Sequence, residues 1–236
     1  MIVDIETTGL SAEKDRIIEI GILEFAVESE ENPVIMGCYG ALEDPNIPLS
    51  DEIQRITGLQ DRWLAGRKID WNFVKETFSR ASIAIAHNAE FDRSFLMRRP
   101  EISDEVNAIH WACSLRHIDW KKRCIATRSL TYLAAEHGFL NPFAHRAVFD
   151  CATTFKLIAP YLGELIQKSY EKEFRIFAVN APFEAKDDLK FRGYKWDQMM
   201  RVWSTVIPES ALEAERKFLS EVVYKGISSH QEQSIS

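Results

Sequence analysis

The first ten residues, MIVDIETTGL, set two acids inside a run whose other members demand a strand. Ile2, Val3 and Ile5 are strand formers, and the two-residue period of a strand puts Asp4 and Glu6 on one face with Ile5 on the other. Thr7 and Thr8 with Gly9 end the strand, and Gly9 lets the backbone turn tightly where a ligand could approach. Two like charges in a buried strand are costly to desolvate unless a cation compensates, and carboxylates a pleat apart suit Mg²⁺ or Mn²⁺. On an exposed edge strand the same Asp-x-Glu would merely be solvated. The metal reading therefore requires further ligands from elsewhere in the chain.

The 236 residues allow one large domain, or one with a small appendage, and 46% hydrophobic residues supply a sizeable core. No run approaches the roughly 18 apolar residues of a membrane span, and Met1 leads straight into the acidic strand, so the expectation is a cytoplasmic protein without a membrane partner. Cys38, Cys113, Cys124 and Cys151 show neither C-x-x-C spacing nor a paired histidine, which argues against zinc and against a disulfide framework. A net charge of −7 argues against a surface coated in bases for gripping duplex nucleic acid. Clustered metal-binding carboxylates would themselves lower the net charge, and bound divalent ions reverse its sign locally.

Residues 16–27 and 34–42 read as a second and third strand, with turn signals at 31–33, so the chain opens as an antiparallel meander. Residues 44–48 form a loop containing proline, Ser50 caps a short helix ending near Gly58, and 71–80 is a second helix. The apolar run 82–86 predicts a buried strand, followed by a helix over 90–99 that Pro100 ends. One more strand is expected over 108–118, then a helix over 130–137 capped by Ser129 and stopped at Gly138. Residues 149–168 predict a long helix, broken or kinked at Pro160. A meander followed by alternating helices and strands predicts a mixed sheet flanked by helices on both faces. Beyond about residue 170 the texture changes to strand 175–179, helix 186–191, strand 202–206 and helix 209–224, a small α+β satellite domain. The expected division is 1–170, 171–226 and a polar, frayed tail over 227–236.

Two further clusters carry chemistry. His87-Asn88-Ala89-Glu90-Phe91-Asp92 follows the 82–86 strand directly, at the strand end where open α/β sheets bind ligands. Taken singly, Asp92 can be a helix-dipole charge, His87 a structural histidine satisfied by backbone, and Asn88 a turn residue or a nucleotide contact. In the second, Asp150 heads the long helix and His145 lies in the loop five residues before it, so a mobile imidazole could hang over a metal site and accept a proton from water near neutral pH.

In order, D-x-E at Asp4 and Glu6, H-N-x-x-F-D ending at Asp92, and H-x-x-x-x-D from His145 to Asp150 resemble the DEDD exonuclease superfamily in its branch with the terminal histidine. That branch includes bacterial proofreading subunits and ribonuclease T, and the resemblance runs over residues 1–168. It implies a ribonuclease H-like fold and 3′ to 5′ exonuclease activity with two divalent cations, Mg²⁺ or Mn²⁺. By the same resemblance Asp4 bridges the ions, Glu6 and Asp150 complete the first site, Asp92 supports the second, and His145 is the general base. Two such ions about 4 Å apart stabilise the attacking and leaving oxygens of an in-line displacement. The resemblance further implies a contact from the Thr7 backbone to the terminal 3′-OH and packing of Leu10 and Phe91 on the last bases, for which core packing is the bland alternative. Where many relatives have a base-contacting histidine this chain has Thr57, a departure, as is the short lead of three residues before Asp4.

Arg116, Lys121, Lys122, Arg123 and Arg128 cluster against the single acid Asp119, either steering phosphates or forming a solvated face. Residues 186–201 interleave Lys186, Lys190, Arg192, Lys195 and Arg201 with Phe191, Tyr194 and Trp196, a pattern that suits single-strand binding or a core of aromatics ringed by surface charge. The expected activity is release of nucleoside 5′-monophosphates from single-stranded or frayed DNA 3′ ends, with a polymerase or repair partner. RNA 3′-end trimming is the alternative, and from another class a non-catalytic nuclease-fold interaction protein, or a single-strand binding module centred on the satellite.

Overall fold

The computed structural model describes residues 1–27, 33–125 and 127–235. These form two compact units, Met1–Ser169 and Tyr170–Ser236. In the first, strands β1 (Ile2–Thr7), β2 (Ile17–Val27) and β3 (Pro33–Leu42) are followed by helices α1 (Asp51–Thr57), α2 (Asp61–Leu64) and α3 (Trp71–Arg80). Then come β4 (Ile83–Ala86), α4 (Ala89–Leu96), α5 (Ser103–Ala108), β5 (His110–Cys113), α6 (Leu130–Glu136), α7 (Ala147–Ile158) and α8 (Leu162–Ser169). The sheet order is β3-β2-β1-β4-β5, with β1–β2 and β2–β3 antiparallel and β1–β4 and β4–β5 parallel. This is the ribonuclease H-like mixed sheet of an α/β fold, and β1 is its central strand, not an edge.

Alternation along β1 sorts its side chains between two cores. Val3 and Ile5 pack with Ile20, Val74, Phe78, Phe95 and Leu96 on the face covered by α3 and α4. Ile2 packs with Ile85, Leu133, Cys151, Leu157 and Leu165 on the face covered by α6, α7 and α8. Each such aliphatic side chain contributes about 1.5–3 kcal/mol by leaving water. Asp4 and Glu6 share the phase of Ile2 and so face α7.

The start of α7 lies directly on the sheet because glycines make room for it. Gly21 is the cross-strand partner of Asp4, and a Cβ there would come within 2.4 Å of the Ala147 backbone carbon. Gly40, paired with Gly21, leaves the matching space for Val148. A residue with any side chain at position 21 would push α7 away, and Asp150 with it.

Several elements depart from the sequence reading. The strand expected over 108–118 is only His110–Cys113, preceded by α5, because the chain turns after Cys113, whose carbonyl accepts from the His117 N–H while its own N–H donates to His117 Nδ1. The long helix begins earlier than expected, at Ala147, and breaks at Pro160 as expected, into two helices joined by a 3₁₀ turn, Ala159–Tyr161, since Pro160 has no N–H to continue the ladder. The short helix α2 and strand β7 had no clear sequence signal. Glu31 and Asn32 of the expected turn lie outside the described residues.

The second unit runs β6 (Glu173–Ala178), α9 (Lys186–Arg192), β7 (Lys195–Asp197), β8 (Val202–Pro208), α10 (Leu212–Phe218) and β9 (Gln231–Ser234). The strands form an antiparallel sheet of order β7-β8-β6-β9, a split β-α-β arrangement. Ile176, Ala178, Leu189, Tyr194, Leu212, Leu219 and Val223 make its core. The tail expected to fray is corrected here: residues 231–234 add a strand to β6, and Glu232 is clamped by Arg216 at 2.7 Å through both carboxylate oxygens. A strand on the sheet edge needs backbone pairing more than apolar side chains, so its polar sequence hid it.

Gly21→Ala is expected to destabilise the protein by about 1–3 kcal/mol through overpacking against α7. Gly37→Ala, on the same sheet with open space around it, should be neutral or stabilising by up to about 1 kcal/mol. Urea denaturation of both variants measures the contrast.

Candidate active site

Four acids from distant parts of the chain meet at the C-terminal end of β1. Asp4 and Glu6 come from the strand itself, Asp92 from the first turn of α4, and Asp150 from the first turn of α7. The ladder between β1 and β4 is a single pair, Ile2 with Ile85, and beyond it the parallel strands diverge. Asp92 enters that opening, is buried, and accepts the Ile5 N–H through Oδ1 at 3.1 Å. Its carboxylate thus takes a hydrogen bond that a continuing neighbour strand would have taken.

Asp150 is buried and held from two directions. Asn141 Nδ2 donates to its Oδ1 at 2.6 Å, and the His145 N–H donates to its Oδ2 at 2.9 Å. The loop before α7 therefore wraps the carboxylate, and His145 sits in the left-handed region with φ 63°. Its imidazole is exposed, and ligand atoms of Glu6, His145 and Asp150 all lie within 4.8 Å of one another.

The electrostatics follow from this crowding. Burial raises the Asp4 carboxyl well above its usual range, with Asp92, Glu6, Asp150 and Glu19 adding like charge. Burial and the same neighbours push Glu6 up to about 8, and burial raises Asp92 to about 8 against the Ile5 hydrogen bond. Asp150 is raised by burial, opposed by the His145 and Asn141 hydrogen bonds. A cluster of oxygen donors that cannot all ionise alone is the donor set that fits hard divalent cations.

Sequence reasoning missed three partners of this cluster. Glu19, paired across the ladder with Glu6, is buried and meets Arg146 Nε at 3.1 Å. It also accepts the Ala147 N–H at 3.4 Å, standing in for the side-chain cap that α7 lacks. Its signal was an acid inside the apolar run 17–23, but its facing depends on strand register, which the sequence does not print. Asn141, which braces Asp150, lay in a loop with no motif. Arg146 was read only as a spacer, although its charge lowers the Glu6 carboxyl against the other influences.

The remaining candidates divide. Thr7 is buried and donates to the Gly9 carbonyl, while Thr8 Oγ1 bonds Asp15 and the Arg16 N–H. A Cβ at Gly9 would come within 2.6 Å of the Asp15 carboxylate, so a side chain there would displace Asp15 from its bonds to Thr8 Oγ1 and the Ser11 N–H. Leu10 is 88% exposed just past that turn, which removes core packing as its role. Phe91 is partly buried against Phe95, with ring centroids 5.0 Å apart. Asn88 is exposed, left-handed, and caps α4 without a side-chain hydrogen bond. His87 is structural: Nε2 faces the Arg128 carbonyl and Nδ1 the Ser114 hydroxyl, each at 2.8 Å, and burial lowers its pKa. Thr57 is buried with its hydroxyl committed to the Ile53 carbonyl and the Leu59 N–H, so its side chain is used within the end of α1. In the basic loop, Arg123 is paired with Glu164 at 2.6 Å and stacks over Tyr161.

Comparison with known proteins bears on this arrangement. The exonuclease family model RNase_T matches residues 1–158, the stretch that holds all four acids and His145. The chain belongs to that exonuclease family. Its members form part of the DEDD superfamily, as the three motifs suggested. Among curated proteins, this chain is 33% identical over 170 positions to the PolC-type DNA polymerase III of Caldanaerobacter subterraneus subsp. tengcongensis, an alignment covering 70% of this chain and 12% of the polymerase. The chain thus spans about an eighth of that relative's length. Among solved structures, exonuclease X in complex with 5′ overhanging duplex DNA superposes with TM-score 0.51 and 24% identity, covering 69% of this chain and 90% of its own. A 3′-exonuclease described as recognising the 3′ end of a histone mRNA stem-loop gives 0.52 and 16%, covering 68% and 62%. These two likenesses establish the shared fold. Among the described residues no helix is long and apolar enough to cross a membrane.

Because the Glu6 and Asp92 carboxyls are raised to about 8 in the fold, they stabilise the metal-free protein below their unfolded values of about 4, and that stabilisation is lost as pH rises through about 8. Removing one charge relieves the loss. Asp4→Asn is expected to melt above the native chain at pH 8.5 in EDTA, by on the order of 2–4 °C for each kcal/mol of repulsion removed, with the gap shrinking toward pH 5. Calorimetry across that range checks the sign, and a gap independent of pH would contradict it.

Proposed function

We propose that the first unit is a metal-dependent 3′ to 5′ exonuclease that removes nucleoside 5′-monophosphates from single-stranded or frayed DNA ends. The observation that carries this reading is the convergence of Asp4, Glu6, Asp92 and Asp150 with the exposed His145 at one strand end. Asp4, Glu6 and Asp150 would hold one divalent cation and Asp4 with Asp92 a second, Mg²⁺ or Mn²⁺. Bound there, such ions supply Lewis-acid stabilisation of the phosphoryl oxygens and a more acidic water.

The protein's own residues account for the rest. His145, near Glu6 and Asp150, takes the proton of the attacking water on a ring nitrogen, and its exposure lets it pass that proton to solvent. Asn141 and the His145 N–H fix the rotamer of Asp150, so its oxygens need no reorganisation as charge develops. The Glu19–Arg146 pair anchors the front of α7 to β2 and sets a positive charge beside Glu6. Leu10 and Phe91 border the acidic turn and the α4 start, where apolar surface suits the terminal bases, and Asn88 offers an amide at the same rim.

DNA is favoured because the curated relative is a DNA polymerase and one structural neighbour was solved with duplex DNA. The neighbour described with a histone mRNA stem-loop supports RNA 3′-end trimming as the second reading. Association with a replicative polymerase is part of the proposal on the same ground.

The test uses 5′-labelled single-stranded DNA, duplex DNA and RNA of one sequence, with Mg²⁺ and with Mn²⁺. Successive shortening from the 3′ end with mononucleotide products is expected, fastest on single-stranded DNA. Immediate release of the 5′ label would overturn the polarity, and faster RNA shortening would favour the second reading. His145→Ala should lower turnover about 10²-fold or more while calorimetric Mn²⁺ binding stays near native; unchanged turnover removes His145 from the base role.

A further inference from the structure

The second unit keeps a surface that the exonuclease reading does not use. The aromatics of residues 186–201 do not share one fate. Tyr194 is buried and its hydroxyl donates to Glu215, whereas Phe191 is 87% exposed and Trp196 47%. Met199 and Met200, at the β7–β8 hairpin tip, are 95% and 63% exposed. Their N–H groups both donate to Asp197 Oδ1, at 2.9 and 2.8 Å, which fixes the turn while their side chains face solvent. Leaving Phe191 aside, Trp196 on β7 and Met199 and Met200 at its hairpin tip expose three large apolar side chains along one strand end, and apolar surface gathered in this way marks an interaction site.

Charge and rigidity narrow what would cover them. Lys190, Lys195 and Arg201 are exposed in the same stretch, with Lys195 on the face of edge strand β7 opposite Trp196, and residues 190–201 hold these three bases and Arg192, which is paired with Glu215, against the single acid Asp197 in a chain whose net charge is −7. Trp196 is braced on its inner side by Trp203, with ring centroids 5.5 Å apart, and Trp203 packs against the core of the unit. A ring held in this way loses little entropy on stacking. Strand β7 has only three residues, too few for a peptide to gain much by adding a strand along it, so recognition has to run through side chains. Aromatic faces set among bases are the recognition chemistry of a sequence-tolerant single strand, because every base has a π-face and every nucleotide a phosphate.

We propose that the rim formed by the end of α9, β7 and the β7–β8 hairpin binds single-stranded nucleic acid, with Trp196 stacking a base and Lys190, Lys195 and Arg201 meeting phosphates. Such a hold raises the effective concentration of a 3′ end for the attached exonuclease unit. Because it is a binding property, it stands or falls independently of turnover.

Fluorescence anisotropy of 5′-labelled dT20 and rU20 with the full chain in EDTA measures it. Trp196→Ala is expected to weaken binding about tenfold or more, and Trp196→Phe to recover most of it. The pair Lys195→Glu with Arg201→Glu should flatten the dependence of log affinity on log salt by about 1.4, while Lys217→Glu on α10 leaves it unchanged. Turnover of 5′-labelled single-stranded DNA in Mn²⁺ is measured alongside on the native protein. Native-strength binding by Trp196→Ala, an unaltered salt slope in the double variant, or equal competition by duplex would overturn the proposal. Absence of turnover with binding intact would instead count against the exonuclease reading alone.

Discussion

Carboxylates repel one another, and nothing in their own chemistry gathers four of them at one strand end. What gathers them here is apolar packing on both faces of β1, which holds Asp4 and Glu6 toward α7 while α4 and α7 deliver Asp92 and Asp150. The raised carboxyls of Glu6 and Asp92 record the resulting tension. The sheet thus stores an electrostatic penalty that a bound divalent cation would relieve, so folding and metal affinity are linked through the same side chains.

The partners of the acids show how that tension is kept local. Glu19 would be a fifth repelling charge, but Arg146 pairs with it and also lowers the Glu6 carboxyl. Asp150 accepts two N–H groups from the loop that carries His145, and Asp92 accepts one from β1. Asp92, Asp150 and Glu19 are therefore each oriented by a donor from another part of the chain, and rotating one of these side chains away would strand that donor. Unmade hydrogen bonds of this kind typically cost about 1–3 kcal/mol, enough to hold a single geometry before substrate arrives.

Much of this could be read in the residues alone, and the parts that could not have physical reasons. Period-2 alternation in β1 and the motif order at His87 and His145 are local patterns, so the five central positions, the meander and the parallel strands were all legible. Glu19 was not, because its role exists only once β1 and β2 are in register with Glu6 opposite Glu19. Thr57 looked available until its hydroxyl was found closing α1, and His87 was resolved as structural only by two contacts, at Ser114 and Arg128. In the second unit, Phe191 and Tyr194 are both aromatic and three residues apart, yet the more apolar Phe191 is exposed and Tyr194 lies in the core. Strand β9 was hidden because edge pairing asks for backbone, not for apolar side chains.

The divergence of β1 from β4 after a single rung has a bearing on how such a chain can change. Asp4 and Glu6 sit on the central strand and Asp92 and Asp150 in the first turns of α4 and α7, whereas Leu10, Asn88 and His145 occupy connecting segments. The acids proposed to hold metal are thus carried by regular elements, while the proposed base His145 and the residues proposed to meet the strand end lie on short connections. On the proposed function, exchange of those connections would retune which strand end is admitted, from deoxyribose to ribose or from frayed to fully single-stranded, while the cage of oxygens stays as it is.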